Sequence, residues 1–111
     1  ADAGIRDPLW SRGLGDVYKR QSVDYACRKI IEEHNYGPHF IHSTGHGIGL
    51  DVHESPNISA KNKEKLKKGM AITVEPGIYI PKKFGVRIED SLIVKDSASV
   101  MHKFTKDLII I

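Results

Sequence analysis

Apolar positions recur with two different periods along this chain. Val23, Ala26, Cys27, Ile30, Ile31 and His34 follow helical spacing on one face, while Arg28, Lys29, Glu32 and Glu33 fall largely outside that stripe. The spacing predicts a helix over 22–36, with Ser22 as N-cap, Asp24 complementing the positive helix start, and Gly37-Pro38 as the stop. From Met70 the period falls to two. Ile72, Val74, Ile78 and Ile80 lie on one side, and Thr73, Glu75 and Tyr79 on the other. After Pro81-Lys82-Lys83-Phe84-Gly85 a second run places Val86, Ile88, Leu92 and Val94 opposite Arg87, Glu89, Ser91 and Ile93. Two alternating runs joined by turn-type residues predict an antiparallel hairpin. Leu108 to Ile111 reads as a short strand completing the sheet, and 54–69 as a loop pinned by Leu66. A helix followed by antiparallel strands makes the class α+β.

Residues 1–21 keep neither period. Gly4, Pro8, Gly13 and Gly15 interrupt them, and Trp10 has no periodic context, so this stretch is expected to be irregular. The remaining 22–111 then form one domain or part of one.

Composition narrows the function classes. Across 111 residues the net charge is +3, without an arginine-rich stripe or an aromatic-interleaved basic patch, so nucleic acid is not the expected partner. The lysines at 61, 63, 65, 67 and 68 read as a solvated loop rather than a surface for an acidic partner. No apolar run approaches the roughly 20 residues of a membrane helix, and no signal segment opens the chain, so neither membrane nor export is expected. The single cysteine, Cys27, lies on the predicted core face as an inert thiol and suits a reducing, cytoplasmic compartment. His34, at the end of the same stripe, reads as structural.

The chemistry gathers in two places. Between His42 and Glu54 stand three histidines, three glycines and a glutamate. Glycine lets backbone approach closely, and histidine binds metals and moves protons near neutral pH. On the hairpin, a turn near Lys82 brings Glu75 opposite Glu89. Facing residues there have Cβ atoms about 4.5–5.5 Å apart, where like charges destabilise a sheet unless one is protonated or a cation intervenes. Pro76 holds Glu75 extended, and Arg87 can pair with either carboxylate. A wet hairpin face neutralised by Arg87 is the plain alternative. The histidine segment favours a metal, because it supplies nitrogen donors. Two carboxylates with an imidazole suit manganese, cobalt or zinc.

The run His42-Ser-Thr-Gly-His46-Gly-Ile-Gly-Leu-Asp-Val-His53-Glu-Ser-Pro resembles the signature of the pita-bread metallopeptidases, which include aminopeptidase P, prolidase and methionine aminopeptidase. Gly69 to Tyr79, around Glu75-Pro76-Gly77, and Gly85-Val-Arg87-Ile-Glu89-Asp90 are similar to its two downstream motifs, in the same order. The Arg87-containing form looks like the Xaa-Pro-cleaving branch. The resemblance spans about 22–111 and implies part of the pita-bread (creatinase/aminopeptidase-like) fold, a curved antiparallel sheet with a packed helix. It implies His46, Glu75 and Glu89 as metal ligands, with Glu89 bridging, and two divalent ions (Mn, Co or Zn). By the same resemblance His42 and His53 contact substrate and assist proton transfer, Arg87 supports the site, and the substrate is a peptide with proline at the second position. A methionine aminopeptidase or creatinase-like hydrolase shares the core motifs, and a non-catalytic peptide-binding module of the same fold is a third reading. Self-association is left open.

The family also takes two aspartate ligands and a substrate-contacting histidine from further upstream, and 1–21 do not supply them. Residues 1–21 therefore read as foreign to the family or as a truncation junction. The expectation is that this chain alone binds at most one divalent ion, weakly, has little peptidase activity, and leaves an apolar sheet face open.

Overall fold

The computed structural model of the chain describes residues 19–95 and 98–111. The readings placed on 1–18, Trp10 among them, lie outside the described residues.

Helix α1 runs Arg20–Glu33, starting two residues before the expected cap at Ser22. No side chain caps it. Instead the Arg20 and Gln21 amides donate to the Glu64 and Asn62 carbonyls at 3.0 and 2.9 Å, so the lysine-bearing loop satisfies the first free N–H groups. A cap made by a distant segment leaves no local signature. The helix ends at His34, before Gly37-Pro38, and Asn35 takes the left-handed conformation with φ 66°. His34 Nδ1 donates to the Ile30 carbonyl at 2.8 Å, a structural use of that ring. Gly37–His39 then form a single 3-10 turn.

Among the described residues seven short strands follow: β1 (Gly45–Gly47), β2 (Glu54–Ile58), β3 (Ala71–Val74), β4 (Gly77–Ile80), β5 (Phe84–Arg87), β6 (Asp90–Val94) and β7 (Ala98–Val100). Five make an antiparallel sheet in the order β2-β1-β3-β6-β7, and β4 with β5 form a separate two-stranded ribbon. The expected hairpin is therefore present but interrupted. Pro76 has no N–H to give the ladder, and the long ribbon breaks at Glu75-Pro76 and Ile88-Glu89. Register survives the break: Val74 opposes Asp90 before it and Gly77 opposes Arg87 after it.

Two expectations fail. Glu54–Ile58 is a strand rather than loop, paired with β1; its Pro56 is tolerated because β2 lies at the sheet edge. Leu108 to Ile111 form no strand and are exposed, because β7 already occupies the edge beside β6. Leu66 is buried, as expected of a loop anchor.

The core lies between α1 and one face of the sheet. Val23, Cys27 and Ile31 pack with Phe40, Ile58, Ile72, Val74, Leu92 and Val94. Burial pushes the Cys27 thiol up to about 12, helped by the Asp24 charge and opposed by Arg28, so the thiolate needed for reactivity is suppressed. Asp24 is the correction on this helix. Expected to complement the helix start, it lies past the first turn of a helix that begins at Arg20, and it is buried (1% exposed) and holds Arg28 and Thr44.

Candidate metal centre

The histidine segment owes its course to close backbone approach. A Cβ on Gly45 would lie 1.9 Å from the Thr73 carbonyl oxygen, and one on Gly47 would lie 2.1 Å from that of Ser55. These glycines let β1 lie tightly between β2 and β3. The His46 amide donates to Thr73 Oγ1 at 3.1 Å, and the Glu75 amide donates to the Thr44 carbonyl at 2.6 Å. His46 on β1 and Glu75, just past the end of the neighbouring β3, are thereby set side by side.

Above the sheet, His46 Nε2 lies 3.7 Å from Glu75 Oε1, with both side chains largely buried. His46 Nδ1 donates to the Gly47 carbonyl at 2.8 Å, which turns Nε2 towards the glutamate. Register places Glu75 opposite Glu89. Arg87 Nε approaches Glu89 Oε2 at 3.8 Å. That pair is half exposed and contributes at most about 1 kcal/mol. The His53 ring meets that of His46 edge-on, centroids 4.6 Å apart. Five of the six expected site residues, His46, His53, Glu75, Arg87 and Glu89, thus form one connected cluster.

His42 stands in a second group. Its ring lies between Phe40, edge-on at 5.2 Å, and Tyr79 at 5.3 Å, and its Nε2 is 2.8 Å from the Tyr79 hydroxyl. Arg28 anchors this segment from α1. Its guanidinium grips Asp24 through two nitrogens, donates to the Phe40 and His42 carbonyls at 3.0 and 3.1 Å, and stacks over the Phe40 ring. Sequence reasoning missed Arg28, Asp24 and Tyr79 as organisers of the site. Arg28 and Asp24 carry an i,i+4 pairing signal, but it reads equally well as a surface pair.

In type the donor set fits a divalent ion: two carboxylates and an imidazole suit borderline divalent metals. Burial, the charge of Glu89 and the hydrogen bond to Glu89 hold the Glu75 carboxyl above its usual range, with His46 and Arg87 only partly offsetting this. The site therefore carries negative charge that a cation would balance. In number the set falls short. Among the described residues no three His, Cys, Asp or Glu side chains come together closely enough to hold a metal ion. His46 lies beside Glu75, with Glu89 facing Glu75 in register, and this open arrangement is what the described residues supply.

The raised Glu75 carboxyl fixes a sign for stability. Its increment is fully present below the ordinary carboxylate pKa and is lost as pH rises through the folded value. The metal-free chain should therefore lose stability between mildly acidic and neutral pH. Glu75→Gln should flatten that slope and raise neutral-pH stability by about 0.2–1 kcal/mol, the scale of an opposed like-charge pair. Urea midpoints at the two pH values measure it; a steeper slope in the variant would contradict the account.

Residues 5–96 match the family model of metallopeptidase family M24. The Xaa-Pro dipeptidase of Pyrococcus furiosus is 51% identical over 90 residues, 80% of this chain and 26% of that protein. The chain thus spans about a quarter of the length of the curated relatives it matches. Among solved structures, the dipeptidase from Pyrococcus horikoshii superposes with TM-score 0.90 at 40% identity, over 98% of this chain and 32% of that one. The prolidase from Pyrococcus furiosus gives 0.81 at 39% identity, over 94% and 32%. The X-prolyl aminopeptidase of Caenorhabditis elegans, described as a cytosolic enzyme with a di-nuclear active site, gives 0.60 at 27% identity, over 84% and 17%. The helix and antiparallel sheet are accordingly part of the pita-bread fold. Sequence, backbone and the placing of three ordered motifs agree on one ancestry: this chain belongs to metallopeptidase family M24.

Proposed function

We propose that this chain supplies the histidine–glutamate part of a di-metal site that hydrolyses the peptide bond before proline. On this reading 22–111 are the C-terminal portion of the catalytic domain. The observation that supports it most is the facing of Glu75 and Glu89 across a broken ribbon with His46 3.7 Å away. A sheet has no structural use for two opposed carboxylates, whereas a cation does.

His46, Glu75 and Glu89 would hold the metal, with Glu89 bridging and Arg87 steadying its carboxylate. When bound, divalent ions polarise the scissile carbonyl and activate water for hydrolysis. Manganese, cobalt and zinc all match the ligands. On this reading His53, in edge contact with His46, and His42, across from Tyr79, would meet substrate and carry protons. The names of the relatives support the Xaa-Pro substrate, and the lone buried thiol suits a cytoplasmic setting. Among the described residues no helix is long and apolar enough to cross a membrane.

Manganese titration of the chain by calorimetry tests this. One weak binding event is expected, lost in Glu89→Gln, with little turnover of an Xaa-Pro dipeptide. Two tight sites, or one that survives Glu89→Gln, would overturn the ligand assignment.

A further inference from the structure

Tyr79 sits in a slot made for it. It lies on β4 facing Gly85 across the ribbon, with Gly77 two residues before it on the same side. A Cβ on Gly77 would fall 2.5 Å from the Tyr79 hydroxyl, and one on Gly85 would fall 2.8 Å from the ring. Two glycines therefore clear the space that lets the ring lie flat along the ribbon. At the far end its hydroxyl is 2.8 Å from His42 Nε2. The other ring nitrogen, Nδ1, is 2.7 Å from the Ser43 carbonyl, which can only accept. Nδ1 therefore carries the proton, and in the neutral ring Nε2 is the acceptor. The Tyr79 hydroxyl donates to it.

We propose that Tyr79 is a positioning residue that, together with the Ser43 carbonyl at the other ring nitrogen, fixes the ring orientation and tautomer of His42. Phe40 borders the imidazole on another side, edge-on, and Arg28 holds the His42 carbonyl, so the backbone and ring are restrained separately. Without the hydroxyl, only the Nδ1 bond to the Ser43 carbonyl holds the ring, and Nε2 is left as an acceptor without its donor. The consequence for a peptide substrate rests on the role proposed above for His42; the tautomer itself does not.

The test is nitrogen-15 NMR of the His42 imidazole in the full chain, compared with Tyr79→Phe and Gly77→Ala. In the wild type, Nδ1 should be protonated and Nε2 should resonate as a hydrogen-bonded acceptor. Tyr79→Phe keeps the ring in its slot and removes only the donor, so Nε2 should move downfield towards an unbonded imine nitrogen. Gly77→Ala should give the same shift by displacing the hydroxyl while leaving it present. A general loss of packing would not move one nitrogen of one ring in the same direction in both variants. A proton found on Nε2 in the wild type would overturn the proposal, whatever either variant does. So would an unmoved Nε2 signal in a folded Tyr79→Phe chain. Metal titration does not enter this readout, so the metal assignment and the Tyr79 assignment fail separately.

Discussion

Replacing Arg28 by methionine should destabilise the chain by about 1–3 kcal/mol, the cost of leaving the buried Asp24 carboxylate short of partners, because the guanidinium itself is only part-buried. The Asp24 side chain is 1% exposed and receives two guanidinium hydrogen bonds, at 3.0 and 3.1 Å. With methionine in place, only the Thr44 hydroxyl at 2.7 Å remains to it. The Phe40 and His42 carbonyls lose their donor in the same step. Combining Arg28→Met with Asp24→Leu should recover most of the loss, because an apolar pair of similar volume often replaces a buried ion pair without penalty. It should not recover all of it, since the two carbonyls stay unpaired. Denaturant midpoints with unchanged slope measure both effects. A single variant within about 1 kcal/mol of the parent would show that the network does not organise the histidine segment.

Truncation of Ile72 to alanine should cost about 2–5 kcal/mol. Its side chain is fully buried at the centre of the sheet, opposite Leu92 on one strand and Gly47 on the other. Backbone pairing on both sides keeps the neighbours from collapsing into the space, which favours the upper part of that range. Leu108→Ala, at 89% exposure, should change stability by no more than about 0.5 kcal/mol. The contrast is direct because both residues belong to apolar runs that read alike as strands. A large effect at Leu108 would restore the closing strand that the fold does not contain.

Local pattern carried much of the architecture. Val23, Cys27 and Ile31 are spaced to face one direction on any helix, and they do face the core. The alternation from Ile72 to Val94 implied the ribbon, and counting outward from a turn near Lys82 put Glu75 against Glu89. The position is borne out even though the ladder breaks there, because Pro76 interrupts hydrogen bonds without adding or removing a residue. The glycines between His42 and Glu54 were legible as points of close approach, and at Gly45 and Gly47 what approaches is the protein's own backbone.

What stayed illegible depended on contacts between segments far apart in the chain. The start of α1 is satisfied by Glu64 and Asn62, so no cap residue marks it. Asp24 reads as an acid at the helix start, and only Thr44 and Arg28, brought to it by folding, show it to be buried. The strand Glu54–Ile58 lacks alternation and contains proline; pairing with β1 makes it a strand. Tyr79 has no motif of its own, and its partner His42 comes from a different element.

By itself the sequence determined the helix face, the ribbon, the opposition of Glu75 and Glu89 and the membership of the histidine motif, because each follows from spacing along one continuous stretch. Only the tertiary structure decided how open the donor set is, which ring His42 leans on and what holds Asp24. Those depend on distances between side chains brought together by folding, and linear spacing does not encode them.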